Sequence, residues 1–303
     1  MFVFGPVPSR RLGRSLGINN IPKKVCSYNC VYCQVGETRL LTIERRAYIK
    51  PEIIEREVKE RIKGQKADYI TFVPDGEPTL DENLGVEIDL MKRYGKVAVI
   101  TNGSLLFKED VREELKNADW VSIKVDAANE SVWKKINSPY DKLSFAKLMK
   151  GIEKFSEEYK GELVTETMLV AGINDDEENL RRIAKFIKSL GASKAYIALP
   201  LRPPRVSSVK PPSKEKIQMA YMVFSSCGLH AVLLDFPEEG EFFTGKDFKT
   251  GLLSILSVHP MREGDILRLI REKGIDIHIL EKLLLDGKIE KVSYMGVNFY
   301  RGR

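Results

Sequence analysis

Short apolar runs rich in β-branched residues alternate with longer, charged amphipathic stretches along most of this 303-residue chain. This alternation is typical of βαβ units, in which helices cover a parallel sheet. The predicted strands are residues 15–19, 68–74, 97–101, 120–125, 163–169, 195–199 and 231–234. The predicted helices between them are residues 51–63, 84–94, 109–117, 143–159, 176–190 and 213–227. The pattern therefore predicts an α/β fold whose functional residues lie at the carboxyl ends of the strands, as in parallel barrels.

Three of the chain's four cysteines lie in one cluster, spaced C-x3-C-x2-C at Cys26, Cys30 and Cys33. Three thiolates at this spacing can ligate three irons of a cubane iron–sulfur cluster and leave the fourth iron open for chemistry. A zinc site is an alternative, but zinc normally takes four ligands and no second Cys or His pair is present. A disulfide is another, but it would leave an odd cysteine in a chain with no sign of an oxidising compartment. The spacing therefore favours the iron–sulfur cluster.

The cysteine spacing, with Tyr32 directly before the last cysteine, resembles the radical S-adenosylmethionine (radical SAM) superfamily. Five further segments look like that family's motifs, in the right order, between about residue 15 and residue 236. The resemblance implies a partial (β/α)6 barrel and a [4Fe–4S] cluster held by the three cysteines. It also implies that SAM chelates the open iron and is reductively cleaved to a 5′-deoxyadenosyl radical. Tyr32 would pack beside the cluster, with its backbone near the adenine.

Segments that resemble the family's SAM-contact motifs follow four of the predicted strands. Their candidate cofactor-binding residues are Gly76 and Glu77 in DGEP, Thr101 and Asn102 in TNG, Lys124 and Asp126 in SIKVDA, and Leu199 in LPL. Lys124 stands where the family usually has a serine, and its ammonium could pair with the SAM carboxylate. Asp126 could accept hydrogen bonds from the ribose hydroxyls, and strand alternation puts it on the same face as Lys124. A buried Lys–Asp pair that serves only the structure is the alternative reading.

Two other segments carry possible substrate contacts. Arg10, Arg11 and Arg14 lie within five residues beside a glycine-rich strand and could bind a phosphate or a carboxylate. A solvated basic strand edge is the alternative. The Pro-rich segment 202–212 follows the sixth strand and should border the barrel mouth, either as a substrate-facing loop or as a rigid connector. Cys227 is most simply a small buried apolar side chain, and a catalytic hydrogen-atom donor is the alternative reading.

The pattern changes around residues 239–246, which predicts one domain over residues 1–240 and a second over residues 241–303. Predicted helices at 248–257, 263–272 and 276–286, followed by strands at 289–294 and 297–301, have the outline of a winged helix-turn-helix. The candidate recognition helix carries more acidic than basic side chains, so sequence-specific DNA binding is not expected. We predict instead that this small winged-helix-like domain docks a partner or substrate, or caps the barrel.

Net charge, hydropathy and cysteine use limit the partners and the cellular location that the sequence predicts. The net charge of +6 permits an anionic partner but does not demand one. No run of 18 apolar residues is present, so no membrane span is expected. Cysteine use of this kind fits a reducing compartment and predicts a cytoplasmic location.

The sequence thus predicts an enzyme, a radical SAM protein that modifies an unidentified substrate. Its PSRRLG and CVYCQVG segments most resemble the iron–sulfur oxidoreductases related to wyosine-type tRNA-modifying enzymes, although it lacks the additional cluster cysteines of those tRNA enzymes. RNA, a protein or peptide, glycyl-radical activation of another enzyme, and a small molecule are the open substrate classes. The resemblance implies an electron donor such as ferredoxin or flavodoxin. The alternative class is a redox-sensing winged-helix regulator, which would not need the SAM-contact segments.

Overall fold

The computed structural model describes residues 1–63, 65–236, 240, 242–245 and 247–303. In chain order the strands are β1 (Val3–Ser9), β2 (Gly13–Ile18), β3 (Val25–Cys26), β4 (Leu40–Leu41), β5 (Tyr69–Phe72), β6 (Val97–Thr101), β7 (Trp120–Lys124), β8 (Glu162–Met168), β9 (Lys194–Ala198), β10 (Ala231–Leu234), β11 (Met261–Arg262), β12 (Ile289–Tyr294) and β13 (Val297–Gly302). The helices are α1 (Pro51–Ile62), α2 (Leu84–Met91), α3 (Glu109–Leu115), α4 (Glu130–Asn137), α5 (Phe145–Glu158), α6 (Glu177–Ser189), α7 (Lys214–Ser226), α8 (Phe248–Val258), α9 (Glu263–Glu272) and α10 (His278–Leu285), with a 3₁₀ turn at Pro78–Leu80.

The central sheet curls into a half-barrel with the strand order β1-β2-β5-β6-β7-β8-β9-β10. The pairs from β2 to β10 are all parallel, whereas β1 pairs with β2 in the antiparallel direction. Parallel neighbours need crossover connections, so their carboxyl ends gather at one edge of the sheet. This is the predicted α/β partial barrel, and the seven predicted strands correspond to β2 and to β5 through β10.

Two elements of the half-barrel were not predicted. The sequence of β1 contains Gly5, Pro6 and Pro8, which normally argue against a strand. Here β1 is an edge strand with an irregular register between Phe4 and Val7, where prolines are tolerated. The helix α4 was also missed, although its 8 residues make it no shorter than the predicted α2 and α3, which have 8 and 7 residues.

Each helix covers the sheet with one apolar face, as α6 illustrates. Its buried residues are Leu180, Ile183, Ala184 and Ile187, which recur with the period of a helix. Asp176 caps its start by accepting a hydrogen bond from the Asn179 backbone N–H at 3.0 Å. Burying one such leucine or isoleucine contributes about 1.5–3 kcal/mol, so the sheet–helix layers dominate the stability. Among the residues described, no helix is long and apolar enough to cross a membrane.

The C-terminal elements pack against the edge of the half-barrel. The strands β11, β13 and β12 form a separate three-stranded antiparallel sheet beside α8, α9 and α10. Phe4 and Val7 of β1 belong to the same apolar cluster as the buried residues of these elements. The bounds of α9 and β12 agree with the predicted 263–272 and 289–294. The winged-helix assignment and the two-domain division stay predictions, and residue 241 at the predicted boundary lies outside the described residues.

Candidate cluster and cofactor site

The cysteine loop runs from β3 over the carboxyl edge of the sheet, and other elements hold its backbone in place. The backbone N–H groups of Asn29 and Val31 donate to the carbonyls of Asn137 and Ile136, each at 3.0 Å. These carbonyls lie at the carboxyl end of α4, where helix carbonyls lack partners within the helix. The end of α4 therefore anchors the middle of the cysteine loop.

Each of the three thiols receives a hydrogen bond from a nearby nitrogen. The Lys24 ammonium lies 3.2 Å from the Cys33 sulfur, and the Asn137 side-chain amide donates to the Cys30 sulfur at 3.4 Å. The Tyr28 backbone N–H lies 3.4 Å from the Cys26 sulfur. All four cysteines of the chain, including Cys227 at the end of α7, are free thiols. Donors of this kind stabilise thiolates, which are the ligand form of cysteine.

Without a metal, the Cys26 and Cys30 thiols would be protonated. Burial raises the pKa of the Cys30 thiol to about 12, and the nearby Asp126 carboxylate adds to the shift. Burial and the Glu77 carboxylate raise the pKa of Cys26 as well. Metal binding must therefore displace protons from this loop. In the described part of the chain, no group of three or more His, Cys, Asp or Glu side chains is arranged to hold a single metal ion. A cubane does not need such a group, because each of the three cysteines ligates a different iron.

The DGE segment docks directly on the first residues of the cysteine loop. The Glu77 backbone N–H donates to the Val25 carbonyl at 3.1 Å, and the Asp75 carboxylate accepts from the Lys24 backbone N–H at 3.3 Å. A Cβ added at Gly76 would lie 1.9 Å from the Val25 carbonyl oxygen. Only glycine permits this approach, so the structure explains the residue at this position.

The Glu77 carboxylate joins the carboxyl ends of β5 and β6. It accepts from the Thr101 hydroxyl at 2.6 Å, from the Asn102 backbone N–H at 2.8 Å and from the Thr79 hydroxyl at 2.6 Å. Its side chain is fully buried, and burial raises its pKa. The Asn102 amide in turn donates to the Ser27 hydroxyl at 2.9 Å and lies 3.8 Å from the Cys26 sulfur. The structure thus brings Gly76, Glu77, Thr101 and Asn102 together around the cysteine loop.

Asp126 connects the end of β7 to the other side of that loop. Its carboxylate accepts from the Tyr32 hydroxyl, from the Asn137 amide at 2.8 Å and from the Met168 backbone N–H at 2.8 Å. The side chain is buried. The hydrogen bond to Asp126 therefore holds Tyr32 in place beside the cysteines.

Lys124 lies on β7 but pairs with β8 rather than with Asp126. Its ammonium forms an ion pair with Glu166, the residue opposite it in the parallel register, and lies 5.5 Å above the Tyr32 ring. Arg11 forms an ion pair with the same carboxylate. Burial lowers the pKa of Lys124 to about 8, and repulsion from Arg11 contributes. Glu166 therefore holds two cations in place.

A cavity of about 300 Å³ lies beside these residues. Its wall includes Tyr32, Cys33, Lys124, Glu166 and Leu199, together with the turn between β1 and β2. The predicted cofactor-binding residues are thus arranged around two connected regions, the cysteine loop and this cavity.

Three residues of the site were not predicted from the sequence. Lys24 directly precedes the cysteine loop, so its position was a signal that could have been used. Glu166 was also visible as a charged residue inside a predicted buried strand. Asn137 gave no signal, because it lies on the unpredicted helix α4.

The sequence profile of the radical SAM superfamily matches residues 20–186. The chain therefore belongs to this superfamily. It is 46% identical to the UPF0026 protein MJ1312 of Methanocaldococcus jannaschii, over 98% of this chain and 94% of that protein. It is 36% identical to a UPF0026 protein of Helicobacter pylori, over 98% of this chain and 96% of that protein. A radical SAM methyltransferase from Sphaerobacter thermophilus shares the fold, with a TM-score of 0.57 and 16% identity over 72% of this chain and 66% of that one.

Family membership defines the cofactors. Enzymes of the radical SAM superfamily use a [4Fe–4S] cluster and SAM, as the sequence predicted. They generally need an external reductant. The membership supports SAM-dependent radical chemistry as the general activity of the protein.

Proposed function

We propose that the protein is an enzyme that reductively cleaves SAM at a [4Fe–4S] cluster held by Cys26, Cys30 and Cys33, and that the resulting 5′-deoxyadenosyl radical modifies a substrate in the adjoining cavity. One observation carries the proposal. Three parts of the site, namely the DGE segment, the TNG segment and the end of β7, form hydrogen bonds to the cysteine loop or to residues that are hydrogen-bonded to it. A redox-sensing regulator would not need this convergence, so the regulator is not favoured.

The residues present fit the cluster. The nitrogen donors beside the three free thiols would offset the negative charge of a cluster ligated by thiolates. Gly76 has no side chain, so the DGE backbone can lie close to the cysteine loop. When bound, the cluster supplies an open iron and the electron that cleaves the sulfonium of SAM. The chain's own contribution is to hold the loop and to offset thiolate charge through Lys24 and Asn137.

We assign the cofactor-contact roles as follows. The Lys124 ammonium pairs with the SAM carboxylate, and Asp126 accepts from the ribose hydroxyls. Tyr32 and Leu199 border the adenine, and the backbone at Gly76 accepts from the SAM ammonium. Glu77 keeps Thr101 and Asn102 in position through the hydrogen bonds described above. These roles follow from the motifs, and the positions of the residues around the cysteine loop and cavity support them.

The C-terminal elements support a capping role for the predicted domain 241–303. The Gln34 side chain, next to Cys33, donates to the Val258 carbonyl at 3.1 Å, and Arg202 donates to Gln34 at 3.1 Å. Arg202 also lies 3.0 Å from the His259 Nε2 atom. Such a cap would keep water away from a reactive intermediate. A winged-helix arrangement, a cytoplasmic location and a ferredoxin or flavodoxin as electron donor complete the proposal.

Anaerobic reconstitution tests the proposed function. The wild-type protein should bind about four irons and four sulfides per chain, the composition of a cubane. It should release 5′-deoxyadenosine from SAM on reduction, slowly, even without substrate. Replacing Cys26, Cys30 and Cys33 together with alanine should abolish the cluster absorbance, whereas Cys227→Ala is the matched control and should keep it. A full cluster in the triple variant would overturn the proposal.

A further inference from the structure

Lys24 places a positive charge directly beside the cysteine loop and out of contact with water. The residue is buried, with 3% of its surface exposed. A buried charge is costly unless an opposite charge or a hydrogen bond compensates for it. In the part of the chain that the structure describes, the one hydrogen bond of the Lys24 ammonium goes to the Cys33 sulfur, at 3.2 Å. This contact suits a sulfur that carries negative charge, as a cluster ligand does.

The backbone of Lys24 is held in the conformation from which its ammonium reaches this sulfur. Its φ angle is 61°, in the left-handed region that a residue with a side chain adopts only at an energetic cost. The Lys24 N–H donates to the Asp75 carboxylate at 3.3 Å. On the other side, its carbonyl accepts from the N–H groups of Arg39 and Leu40 at 2.9 and 3.2 Å. Such a conformation persists where surrounding contacts fix it, and it is common at functional sites.

Lys24 differs from the other donors to the cysteine sulfurs. The Tyr28 backbone N–H and the side-chain amides of Asn102 and Asn137 are neutral, and they lie 3.4, 3.8 and 3.4 Å from the sulfurs that they contact. Among these described donors, Lys24 alone carries a full charge, and its contact is the shortest. The net charge and the hydrogen bonds at the sulfurs set the reduction potential of an iron–sulfur cluster. Lys24 is therefore the donor with the strongest influence on that potential.

We propose that Lys24 is a positioning residue that acts through the Cys33 sulfur and raises the reduction potential of the cluster. The inference rests on the proposed function, because it requires that the three cysteines ligate the cluster. On reduction, a one-electron donor loses one electron and the cluster gains it, while Lys24 keeps its proton. The ammonium attracts the reduced state more strongly, because that state carries one more negative charge. A less strongly reducing donor can then supply the electron that cleaves SAM.

Three variants separate the charge of Lys24 from its place in the fold. Lys24→Met removes the charge and the N–H donors but keeps an unbranched side chain. Lys24→Arg keeps the charge and is the conservative variant. Lys23→Met is the matched control, because Lys23 is the adjacent lysine, is more exposed and donates to none of the three cysteine sulfurs in the described structure.

The assay is an anaerobic redox titration of the reconstituted full-length protein, without SAM and at high salt, with the reduced fraction measured by electron paramagnetic resonance. Iron and sulfide contents are measured on the same preparations. Lys24→Met should lower the equilibrium constant for reduction about tenfold or more, which is a shift of about 59 mV toward lower potential for one electron. Lys24→Arg should stay within about threefold of wild type, and so should Lys23→Met, because water and salt screen its more exposed charge.

Three titration results would overturn the proposal: Lys24→Met reduced at the wild-type potential, Lys24→Arg shifted as far as Lys24→Met, or Lys23→Met shifted as far as Lys24→Met. If Lys24→Met binds no full cluster, Lys24→Gln is titrated in its place and must show the same lowered potential. Failure of both variants to bind a cluster would also overturn the proposal, because Lys24 would then serve assembly rather than the potential.

Failure of the proposed function gives a different result. Wild-type protein that binds no four-iron cluster, or that releases no 5′-deoxyadenosine from SAM on reduction, would contradict the proposed function itself. Wild-type protein that does both, together with an unchanged potential in Lys24→Met, would contradict the role of Lys24 alone.

Discussion

Replacing Gly76 with alanine should weaken SAM binding by moving the DGE segment away from the cysteine loop. The new Cβ would lie 1.9 Å from the Val25 carbonyl oxygen, whereas real Cβ contacts stay beyond 3.0 Å, so the two backbones must separate by at least 1.1 Å. That movement breaks the hydrogen bonds from Glu77 N–H to Val25 at 3.1 Å and from Lys24 N–H to Asp75 at 3.3 Å. At about 1 kcal/mol each, their loss costs about 2 kcal/mol. Because the proposed SAM site needs the segment docked on the loop, SAM binding would have to supply this free energy, which corresponds to a roughly thirtyfold higher dissociation constant for SAM.

The assay is equilibrium binding of SAM to reconstituted, unreduced Gly76→Ala protein, with iron content and unfolding temperature measured on the same preparation. Gly264→Ala is the matched control, because a Cβ at this position in α9 meets no atom within 4 Å. The control should bind SAM like wild type and be as stable or slightly more so. Wild-type SAM affinity in Gly76→Ala protein with a full cluster would refute the reasoning, because it would mean that contact between the DGE segment and the loop does not matter for binding.

Two further predictions concern charged residues. Lys124→Ala should weaken SAM binding about 10- to 100-fold, because a charge-assisted hydrogen bond contributes about 1.5–3 kcal/mol. Since burial lowers the pKa of Lys124 to about 8, wild-type SAM affinity should also fall between pH 7 and pH 9, and it should fall more steeply than that of the variant, in which only the SAM amine titrates. Equal pH dependence in both proteins would contradict this role. Burial raises the pKa of Glu87 from 4.5 to about 9. Between pH 4.5 and pH 9 the folded chain therefore keeps a proton that the unfolded chain releases, so the free energy of unfolding falls as the pH rises. At pH 7 this lowers the free energy of unfolding by about 3 kcal/mol. Glu87→Gln should therefore reduce the difference in unfolding free energy between about pH 5.5 and pH 8, measured by denaturant unfolding. An unchanged difference would argue against a buried neutral Glu87.

The half-barrel was largely predictable because its signals are local. The apolar, β-branched run of β6 gave the bounds 97–101 that the structure has, and the same holds for β10 at 231–234. The failures were also local in origin. The prolines of β1 hid a strand that is stable only because it lies at the sheet edge, next to β2 and the C-terminal elements.

The sequence alone determined the chemistry that this chain can carry, because the three cysteines lie within eight residues and the SAM-contact motifs follow their strands in order. It could not determine which distant side chains complete the site. Asn137 reaches the Cys30 sulfur across 107 positions of the chain, and only the docking of α4 on the loop brings them together. The partner of Lys124 is Glu166 because β7 and β8 pair in one particular register, in which these two residues are opposite each other. Register and docking arise from packing across the whole barrel, so the charge arrangement of the cavity was decided by the tertiary structure.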